Sequence, residues 1–215
     1  MVTTILVVRH AQTVGNLDRV FQGRIDLPVS EPGEVQLSLL SKRFADIPVD
    51  AVVTSPLPRA VKTAEAITAH NSVPIEFHDG LLEIFAGDFE GRPWDDLPVL
   101  FPEAFDHWRK DWSKFRAPNG ESCEEVYARV SKAVLEIAKA HEGRTVAVVS
   151  HGCAIRNLLG WASGRDLSQV CELPIVQNTS ISRIEIDESG KATLVSFDDA
   201  SHLDGADLPN PVLFR

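Results

Sequence analysis

Residues 3–10 read TTILVVRH, an apolar run that ends in an arginine and a histidine. The run shows no alternation of apolar and polar side chains, which is typical of a strand that lies inside a parallel sheet and is covered on both faces. Arg9 and His10 end this run, so we expect both side chains at the carboxyl end of the strand. The stretch therefore predicts an α/β fold with reactive side chains at one edge of its sheet.

The rest of the chain alternates helices with strands. Residues 31–45 are predicted to form a helix, with Ser30 as its N-cap and Pro32 in its first turn. A strand is predicted over 50–53, followed by a helix that opens at Thr54-Ser55-Pro56 with a hydroxyl cap and runs to about His70. The second half is predicted to contain a helix over 122–141, a strand over 145–149 and a helix from near Cys153. Paired strands are predicted near 180–186 and 192–197. The pattern predicts a single domain over residues 1–215, a three-layer α/β sandwich with a mainly parallel central sheet flanked by helices.

Residues 92–120 differ in character from the segments around them. They carry a set of aromatic side chains among charged residues, at roughly helical spacing: Trp94, Phe101, Phe105, Trp108, Trp112 and Phe115. Such rings more often pack together than bind a ligand, so we expect most of them to bury a small helical insert against the sheet. The sequence does not identify which of them line a substrate pocket.

The composition limits the partners and the location of the protein. With 21 basic and 31 acidic residues the chain has a formal net charge of −10, which argues against broad binding to nucleic acid or to an anionic membrane. We find no signal peptide and no apolar stretch near the ~20 residues that span a bilayer. Cys123, Cys153 and Cys171 form no C-x-x-C pair and are predicted to be buried thiols in a reducing compartment. We therefore expect a cytoplasmic protein; a homodimer stays open, without a specific indication.

Three polar motifs occupy equivalent places in the predicted fold. Arg9 and His10 end the first strand, Arg59 lies in the first turn of the helix after the second strand, and His151 follows the strand at 145–149. Because ligands of open α/β sheets bind outside the carboxyl ends of the strands, these four side chains are expected to converge. The arginines offer planar, charged donors to phosphate oxygens, a neutral His10 can attack phosphorus, and His151 can bind the oxygens that gain charge. The motifs therefore predict phosphoryl transfer.

Ordered sequence blocks that include these residues extend over almost the whole chain. The blocks are Leu6-Val7-Val8-Arg9-His10-Ala11-Gln12-Thr13 with Asn16 and Gln22-Gly23, Asp26-Leu27-Pro28-Val29-Ser30 with Gly33 and Gln36, Thr54-Ser55-Pro56-Leu57-Pro58-Arg59-Ala60 with Thr63-Ala64, Leu82-Glu83 with Gly87 and Glu90-Gly91, Asn119-Gly120-Glu121-Ser122, Val149-Ser150-His151-Gly152, and Ser201-His202-Leu203. In this order they resemble the histidine phosphatase superfamily (phosphoglycerate mutase-like). A lone Arg-His pair would be weak evidence, whereas a set of ordered blocks is specific.

The resemblance implies a role for each matched side chain. His10 would be the nucleophile that carries the phosphoryl group, and Glu83 would donate a proton to the leaving group and later accept one from water. The phosphate and substrate pocket would be formed by Arg9, Asn16, Gln22, Gly23, Arg59 and His151. The implied enzyme is a histidine acid phosphatase-type phosphoric monoester hydrolase that acts on a small-molecule phosphomonoester and uses no cofactor and no metal.

One position departs from the family pattern. The family usually has glycine after the nucleophilic histidine, and this chain has Ala11. Alanine adds a methyl group and disfavours positive φ, whereas glycine permits unusual dihedrals and close backbone approach. We expect the backbone to keep a negative φ at this position, so that activity is retained.

Three other functions are compatible with part of the pattern. A metal site could be built from His10, Glu83 and His151, but Arg9 and Arg59 in the same pocket would repel a divalent cation. A non-catalytic phosphate-binding module would not need every reactive side chain, and this chain retains them all. A phosphoglycerate mutase would share the phosphohistidine but needs an enclosing lid that excludes water.

The sequence favours the phosphatase branch over the mutase. Mutases of the family carry a longer insertion after the acid and an extended tail, whereas here the segment from Glu83 to His151 is short. Acidic residues near the C-terminus would also repel a bisphosphate: Asp198, Asp199, Asp204 and Asp207. The patterns at Phe101-Pro102-Glu103 and Asn119-Gly120-Glu121-Ser122 are closer to phosphatases. The substrate itself stays open among sugar phosphates, phosphoglycerate-like acids, nucleotide-linked monoesters and a broad mixture of them.

Overall fold

A computed structural model describes residues 1–208 and contains a six-stranded sheet. Its strands are β1 (Thr3–Arg9), β2 (Ala51–Thr54), β3 (Ile75–Phe77), β4 (Thr145–Ser150), β5 (Ile181–Ile186) and β6 (Ala192–Asp199). They lie in the order β3-β2-β4-β1-β5-β6. The first four strands pair in parallel, and β5 pairs antiparallel with both β1 and β6. The predicted α/β fold with a mainly parallel sheet is confirmed.

Helices cover both faces of this sheet. They are α1 (Val14–Leu17), α2 (Glu31–Ala45), α3 (Pro58–Thr68), α4 (Leu97–Leu100), α5 (Pro102–Lys110), α6 (Cys123–Ala140), α7 (Gly152–Ala162) and α8 (Leu167–Val170). α2 and α3 pack on one face, and α6 and α7 pack on the other. Ser30 caps α2 as predicted, since its hydroxyl accepts from the Gly33 N–H at 3.2 Å. Within residues 1–208, none of the helices is both long and apolar enough to cross a membrane.

The unbroken apolar character of β1 follows from its central position. Ile5 and Val7 contribute to the core shared with α6 and α7, whereas Leu6 and Val8 contribute to the core shared with α2 and α3. All four side chains are buried. Because successive side chains of a strand point to opposite faces, a strand covered on both faces needs apolar residues at every position.

The helix after β2 begins later than predicted. It starts at Pro58, and its N-cap makes no side-chain hydrogen bond. The predicted hydroxyl cap within Thr54-Ser55-Pro56 is wrong, because the N-cap is Leu57 and the Ser55 hydroxyl is bonded to His151 and to the Leu57 N–H rather than to an N–H of the helix. Arg59 nevertheless lies in the first turn of this helix, as predicted. The Ser55 side chain therefore contacts the residue that follows β4 and does not cap α3.

The insert over 92–120 is only partly helical. Its last helix ends at Lys110, and residues 111–120 form turns and irregular backbone. The aromatic side chains pack together as expected: the ring centroids of Trp108 and Trp112 are 4.9 Å apart, and both rings are buried. The Trp112 indole N–H donates to the Trp108 carbonyl at 2.7 Å, so burial leaves this donor paired.

β3 is an element that the sequence pattern did not reveal. It has three residues at the edge of the sheet, and Phe77 is 62% exposed. A short edge strand with exposed side chains has no clear alternation of apolar and polar residues, so it resembles a loop in sequence.

Candidate active site

The register of the central strands brings two histidines together. Arg9 at the end of β1 pairs with Ser150 at the end of β4, so the residues that follow, His10 and His151, lie side by side. The His10 N–H donates to the Ser150 carbonyl at 3.0 Å, and the two ring centroids are 5.2 Å apart. The backbone pairing of the sheet thus places both rings at its carboxyl edge.

His10 is held as a neutral imidazole with one nitrogen available. Its Nδ1 lies 2.7 Å from the Ala11 carbonyl, which can only accept, so we assign the proton to Nδ1 and the lone pair to Nε2. The residue is 3% exposed. Burial lowers the pKa of His10 well below its usual value, and Arg59 and Arg9 lower it further. A neutral ring with a free lone pair is the form in which histidine acts as a nucleophile.

Ala11, where the resembled family has glycine, is accommodated by the backbone. Its φ is not positive, as expected from the sequence, and its side chain is fully buried. Its N–H donates to the Thr63 hydroxyl at 3.0 Å, and that hydroxyl donates to the Arg59 carbonyl at 2.8 Å. These bonds tie the turn that follows His10 to the helix that carries Arg59.

His151 is fully buried and has one nitrogen without a protein partner. Its Nε2 lies 2.7 Å from the Ser55 hydroxyl, whereas its Nδ1 has no hydrogen-bond partner among residues 1–208. Burial lowers the pKa of His151 well below its usual value, and Arg59 adds to the effect. The Ser55 hydroxyl can donate or accept, so this contact is compatible with either tautomer; in the tautomer with the proton on Nδ1, the ring can donate to a bound anion.

Arg59 is clamped by the loop that contains Gly23. Its terminal nitrogens donate to the carbonyl of Gly23 at 2.7 Å and to that of Ile25 at 2.9 Å, and Asp26 lies 3.4 Å away. Gly23 has a φ of +53°, and a Cβ there would lie 2.2 Å from a carboxylate oxygen of Glu90. Only glycine fits without displacing the carbonyl that orients the guanidinium.

Arg9 and Arg59 leave buried donors unpaired. Arg9 donates from a terminal nitrogen to the Val176 carbonyl at 2.6 Å. Burial lowers the pKa of Arg9 to about 10, so this group stays charged at neutral pH, and burial also lowers the pKa of Arg59. The Nε atoms of both arginines, like Nδ1 of His151, are buried without a partner in the described part of the chain. Buried donors are nearly always paired in proteins, so these three atoms around His10 point to an oxyanion as their missing partner.

A cavity of about 60 Å³ opens beside these donors. Of the residues that the sequence assigned to the site, all but His151 line it: Arg9, His10, Asn16, Gln22, Gly23, Arg59 and Glu83. The His151 ring lies behind this lining, fully buried and in contact with the ring of His10. The structure therefore brings together every predicted site residue.

Asn16 and Gln22 are anchored through their oxygens by Thr13. The Thr13 N–H donates to Asn16 Oδ1 at 3.0 Å, and the Thr13 hydroxyl lies 2.8 Å from Gln22 Oε1. Since the amide oxygens are engaged, the amide NH₂ groups are left to serve as further donors at the cavity. Both side chains can therefore contribute to anion binding without carrying a charge.

Glu83 reaches the cavity from a separate loop and caps helix α7. Its carboxylate accepts from the N–H groups of Cys153 and Ala154, both at 3.0 Å, and from that of Ile84 at 2.9 Å. The N-cap residue of α7 is His151, whose side chain makes no bond to this helix end, so Glu83 occupies that place. These contacts hold the carboxylate in the cavity wall.

Three polar residues that support the site were not assigned to it from the sequence. Ser55 and Thr63 make the contacts described above, and Asn178 Nδ2 donates to the His10 carbonyl at 2.8 Å. The first two lie in the sequence block around Arg59, which was a usable signal. Asn178 lies in an irregular segment before β5, and nothing in that segment of sequence indicates the contact.

Cys153 also lines the cavity, as a buried thiol. All three cysteines are free; Cys123 and Cys153 are buried as predicted, whereas Cys171 is only half-buried. Burial raises the pKa of the Cys153 thiol well above its usual value, and the neighbouring Cys123 adds to the effect. The reactive form of cysteine is the thiolate, so this side chain stays unreactive at neutral pH.

One wall of the cavity is aromatic. Phe21, Trp94 and Trp108 line it, with ring centroids from 4.7 to 6.0 Å apart. Val20 and Ile175 are also part of the lining. The sequence left open which aromatic residues of the insert reach the pocket. Of the aromatic residues of the insert, Trp94 and Trp108 line the pocket, and Phe21 lines it from outside the insert.

The charges around the histidines suit an anion rather than a metal. Within residues 1–208, no group of three or more His, Cys, Asp or Glu side chains is arranged to hold a metal ion. Arg9 and Arg59 place positive charge close enough to His10 and His151 to lower the pKa of both rings. Guanidinium groups repel a divalent cation and attract a phosphate.

Acidification should destabilise the folded protein through the two buried histidines. An unfolded histidine takes up a proton near pH 6.5, whereas the pKa of His10 and His151 in the folded state is well below that value. Each should therefore lower the free energy of unfolding by about 1.4 kcal/mol per pH unit below 6.5, until its folded-state pKa is reached. Thermal unfolding followed from about pH 7 to 5 should show this decline, and the slope should be shallower for His10→Ala. An unchanged slope in that variant would show that His10 is not buried in its neutral form.

Comparison with known proteins gives a consistent set of similarities. A family model described as histidine phosphatase superfamily (branch 1) matches residues 5–199. The uncharacterized phosphatase PhoE of Bacillus subtilis (strain 168) is 32% identical over 203 residues, which cover 94% of this chain and 98% of that protein. Phosphoserine phosphatase 1 of Hydrogenobacter thermophilus is 32% identical over 184 residues, which cover 86% of this chain and 87% of that protein. The solved structure of Bacillus stearothermophilus YhfR has a TM-score of 0.89 and 33% identity, covering 94% of this chain and 100% of that one. The names of matched proteins also include phosphoglycerate mutases.

Proposed function

The chain belongs to the histidine phosphatase superfamily, and on that premise we propose that it is a phosphomonoester hydrolase of the histidine acid phosphatase type. It acts on small phosphorylated metabolites through a phosphohistidine formed on His10. One observation carries the proposal: His10 lines one cavity with Arg9 and Arg59 and contacts the ring of His151, and these three neighbours each have a buried donor that lacks a partner within the described residues. A phosphate group would satisfy these donors and present phosphorus to the nucleophile.

In the first step, the phosphohistidine forms and the alcohol leaves. His10 Nε2 attacks phosphorus, the bond from phosphorus to the ester oxygen breaks, and that oxygen takes a proton from Glu83. Arg9, Arg59 and Nδ1 of His151 stabilise the charge on the three remaining phosphate oxygens. These donors are already oriented by protein contacts, so little reorganisation is needed as the charge develops.

In the second step, water releases the phosphate. Water attacks phosphorus while Glu83 takes a proton from it, the bond from nitrogen to phosphorus breaks, and the electron pair returns to Nε2 of His10. Nδ1 of His10 keeps its proton throughout because it donates a hydrogen bond to the Ala11 carbonyl. Inorganic phosphate leaves, and Glu83 is again protonated for the next turnover.

The charges of the cavity support hydrolysis over mutase-type phosphoryl transfer. A phosphoglycerate carries a carboxylate beside its reacting phosphate, and a bisphosphate intermediate carries a second phosphate. Within residues 1–208, the basic side chains that line the cavity are those of Arg9 and Arg59. In the proposed mechanism both of them bind the reacting phosphate. A second anion would therefore be desolvated without a cationic partner, which is costly. This argument favours substrates with a single anionic group.

The acidic residues near the C-terminus contribute less to this choice than the sequence implied. Asp198, Asp199 and Asp204 line a different cavity, and Asp199 pairs with Arg43 at 3.5 Å. Neither these residues nor Asp207 line the cavity at the histidines. Their repulsion of a bisphosphate acts over a longer distance, so the shortage of cations in the pocket is the stronger argument.

The aromatic wall favours a leaving alcohol that is uncharged. Phe21, Trp94 and Trp108 present ring surfaces against which an aryl, alkyl or sugar group can pack. A charged leaving group would lose hydration against this wall and gain no partner. The preferred substrates are therefore monoesters of uncharged alcohols that have an apolar face.

The purified protein should release inorganic phosphate from p-nitrophenyl phosphate and from sugar or alkyl phosphates in the presence of EDTA. It should hydrolyse 3-phosphoglycerate with a kcat/KM about tenfold or more lower, because the carboxylate is left unpaired. Interconversion of 2- and 3-phosphoglycerate should be slow or absent, even with added 2,3-bisphosphoglycerate. Phosphate release and mutase activity are measured on the same preparation.

Three results would each favour another function. Mutase activity faster than phosphate release would identify phosphoryl transfer between phosphoglycerates as the main reaction. Activity that is lost in EDTA and restored by Zn²⁺ or Mg²⁺ would favour a metal site. Tight binding of inorganic phosphate without turnover of any monoester would identify a phosphate-binding module.

A further inference from the structure

Glu121 joins two arginines behind the loop that carries Glu83. Its Oε2 accepts from Arg129 at 3.0 Å and pairs with Arg24 at 3.1 Å, and its Oε1 accepts from Nε of Arg129 at 3.2 Å. The same Oε2 accepts the N–H of Phe85 at 2.8 Å. The side chains of Glu121 and Arg129 are each 20% exposed, so their charges are screened less by solvent than those of a surface pair.

Both arginines also hold the backbone at Glu83. Arg24 Nε donates to the Glu83 carbonyl at 3.2 Å, and Nη2 of Arg129 approaches the same carbonyl at 3.4 Å. Nη1 of Arg129 donates to the carbonyls of Leu82 at 2.8 Å and Gly80 at 3.0 Å. The peptide groups on either side of Glu83 are therefore held through these guanidinium groups.

None of the three charged residues touches the space where the phosphate would bind. Glu121, Arg24 and Arg129 do not line the cavity at His10. Arg24 and Arg129 instead line a different cavity, and each of them pairs with Glu121. The contacts converge on the segment of Glu83, which enters the site from outside the sheet. Their hydrogen bonds can therefore affect the reaction through that residue, while the charge of Arg129 also contributes to the lowered pKa of His151.

We propose that Glu121 is a positioning residue that, through Arg129 and Arg24, fixes Glu83 for proton transfer to the leaving group. This inference rests on the proposed function, in which Glu83 is the acid. The helix end of α7 holds the carboxylate of Glu83, and the Glu121 network holds its backbone. If the network is weakened, the backbone moves and the carboxyl group loses its alignment with the ester oxygen. A displacement of about 1 Å can lower a rate about 100-fold.

A positioning role predicts a loss that depends on the leaving group. Glu121→Gln should lower kcat/KM for an alkyl phosphate by about tenfold to 100-fold. It should leave kcat/KM for p-nitrophenyl phosphate within about threefold, because that leaving group scarcely needs a proton. The value of kcat/KM depends only on the steps up to departure of the alcohol. The later reaction of the phosphohistidine with water therefore does not affect the comparison of the two substrates.

The same substitution in a Glu83→Gln background gives the sharper test. Once the transferable proton is absent, adding Glu121→Gln should cause no further loss that depends on the leaving group. Glu125→Gln is the matched control. It also replaces a carboxylate by an amide near the start of α6, where Glu125 pairs with Arg116 at 2.8 Å, and it should not alter kcat/KM for either substrate. Thermal unfolding of each variant shows whether it is folded.

The possible outcomes separate this inference from the proposed function. An equal loss for both substrates, or a further loss in the Glu83→Gln background, would show that Glu121 only supports the fold. If Glu121→Gln does not fold, Arg24→Met removes a half-buried side chain that donates to the Glu83 carbonyl. This variant should show the same larger loss for the alkyl phosphate than for p-nitrophenyl phosphate. Failure of the proposed function would appear differently, as a wild type without turnover or a Glu83→Gln single variant without leaving-group dependence.

Discussion

Replacing His10 with alanine should abolish turnover and prevent phosphoryl labelling of the protein. Wild-type protein mixed briefly with labelled substrate and then denatured should retain an acid-labile, alkali-stable label, as expected of a phosphohistidine. His10→Ala should carry no label, and its rate should fall by about 10⁴-fold or more, since no other nucleophile is in place. Cys153 lines the same cavity, but burial raises its pKa so that it stays a thiol.

The fold of His10→Ala should be intact, because the side chain lies at a strand end and belongs to neither of the two apolar cores. His141→Ala is a suitable control. It removes another buried imidazole, which pairs with Glu76 at 3.5 Å and lies away from the cavity, and it should keep both label and turnover. Normal turnover by His10→Ala would exclude the phosphohistidine mechanism.

Replacing Glu83 with glutamine should produce a loss that depends strongly on the leaving group. Glutamine keeps the shape of the side chain but has no proton to transfer, which costs about 10²- to 10⁴-fold in general acid catalysis. The full loss is expected in kcat/KM for alkyl phosphates, and only a small loss is expected for p-nitrophenyl phosphate. In the free enzyme the carboxylate accepts three backbone N–H groups.

Asp88 offers a matched control for this measurement. It lies near Glu83 in sequence, but it is exposed and its carboxylate accepts from the Asn119 amide at 2.9 Å. Asp88→Asn should leave kcat/KM unchanged for both kinds of substrate. Equal losses for both substrates in Glu83→Gln would indicate a positioning role for Glu83. A selective loss in Asp88→Asn instead would identify that residue as the acid.

The fold was predictable where local pattern and burial coincide. β1 was correctly predicted because its side chains are buried on both faces of the sheet. α2 was correctly predicted because its buried side chains lie on one face of the helix, which begins at a serine cap. β3 was missed because an exposed three-residue edge strand carries no such pattern. The start of α3 was misplaced because the hydroxyl of Ser55, which looked like a helix cap, is used by His151 across the sheet. Sequence patterns report local burial well and long-range hydrogen bonds poorly.

The convergence of the candidate site residues at one edge of the sheet was predictable. Arg9, His10 and His151 were placed correctly because they lie at the ends of paired strands, and strand ends can be read from the chain itself. Glu83 was identified only through the resemblance to a family. It lies on a loop without periodicity, and its contact with α7 joins segments about 70 residues apart in sequence. Asn178 was missed for the same reason, since its contact with the His10 carbonyl spans most of the chain.

The sequence by itself determined which chemical groups are available and the edge of the sheet at which they emerge, because side-chain identity and strand ends are local properties. The tertiary structure alone decided the state of those groups. The Ala11 carbonyl sets the tautomer of His10, the Ser55 hydroxyl is bonded to the ring of His151, and burial lowers the pKa of both rings. It also decided that, within residues 1–208, the Nε atoms of Arg9 and Arg59 are buried without a partner. Protonation and unpaired donors depend on what surrounds an atom in three dimensions, and those surroundings come from segments far apart in the chain.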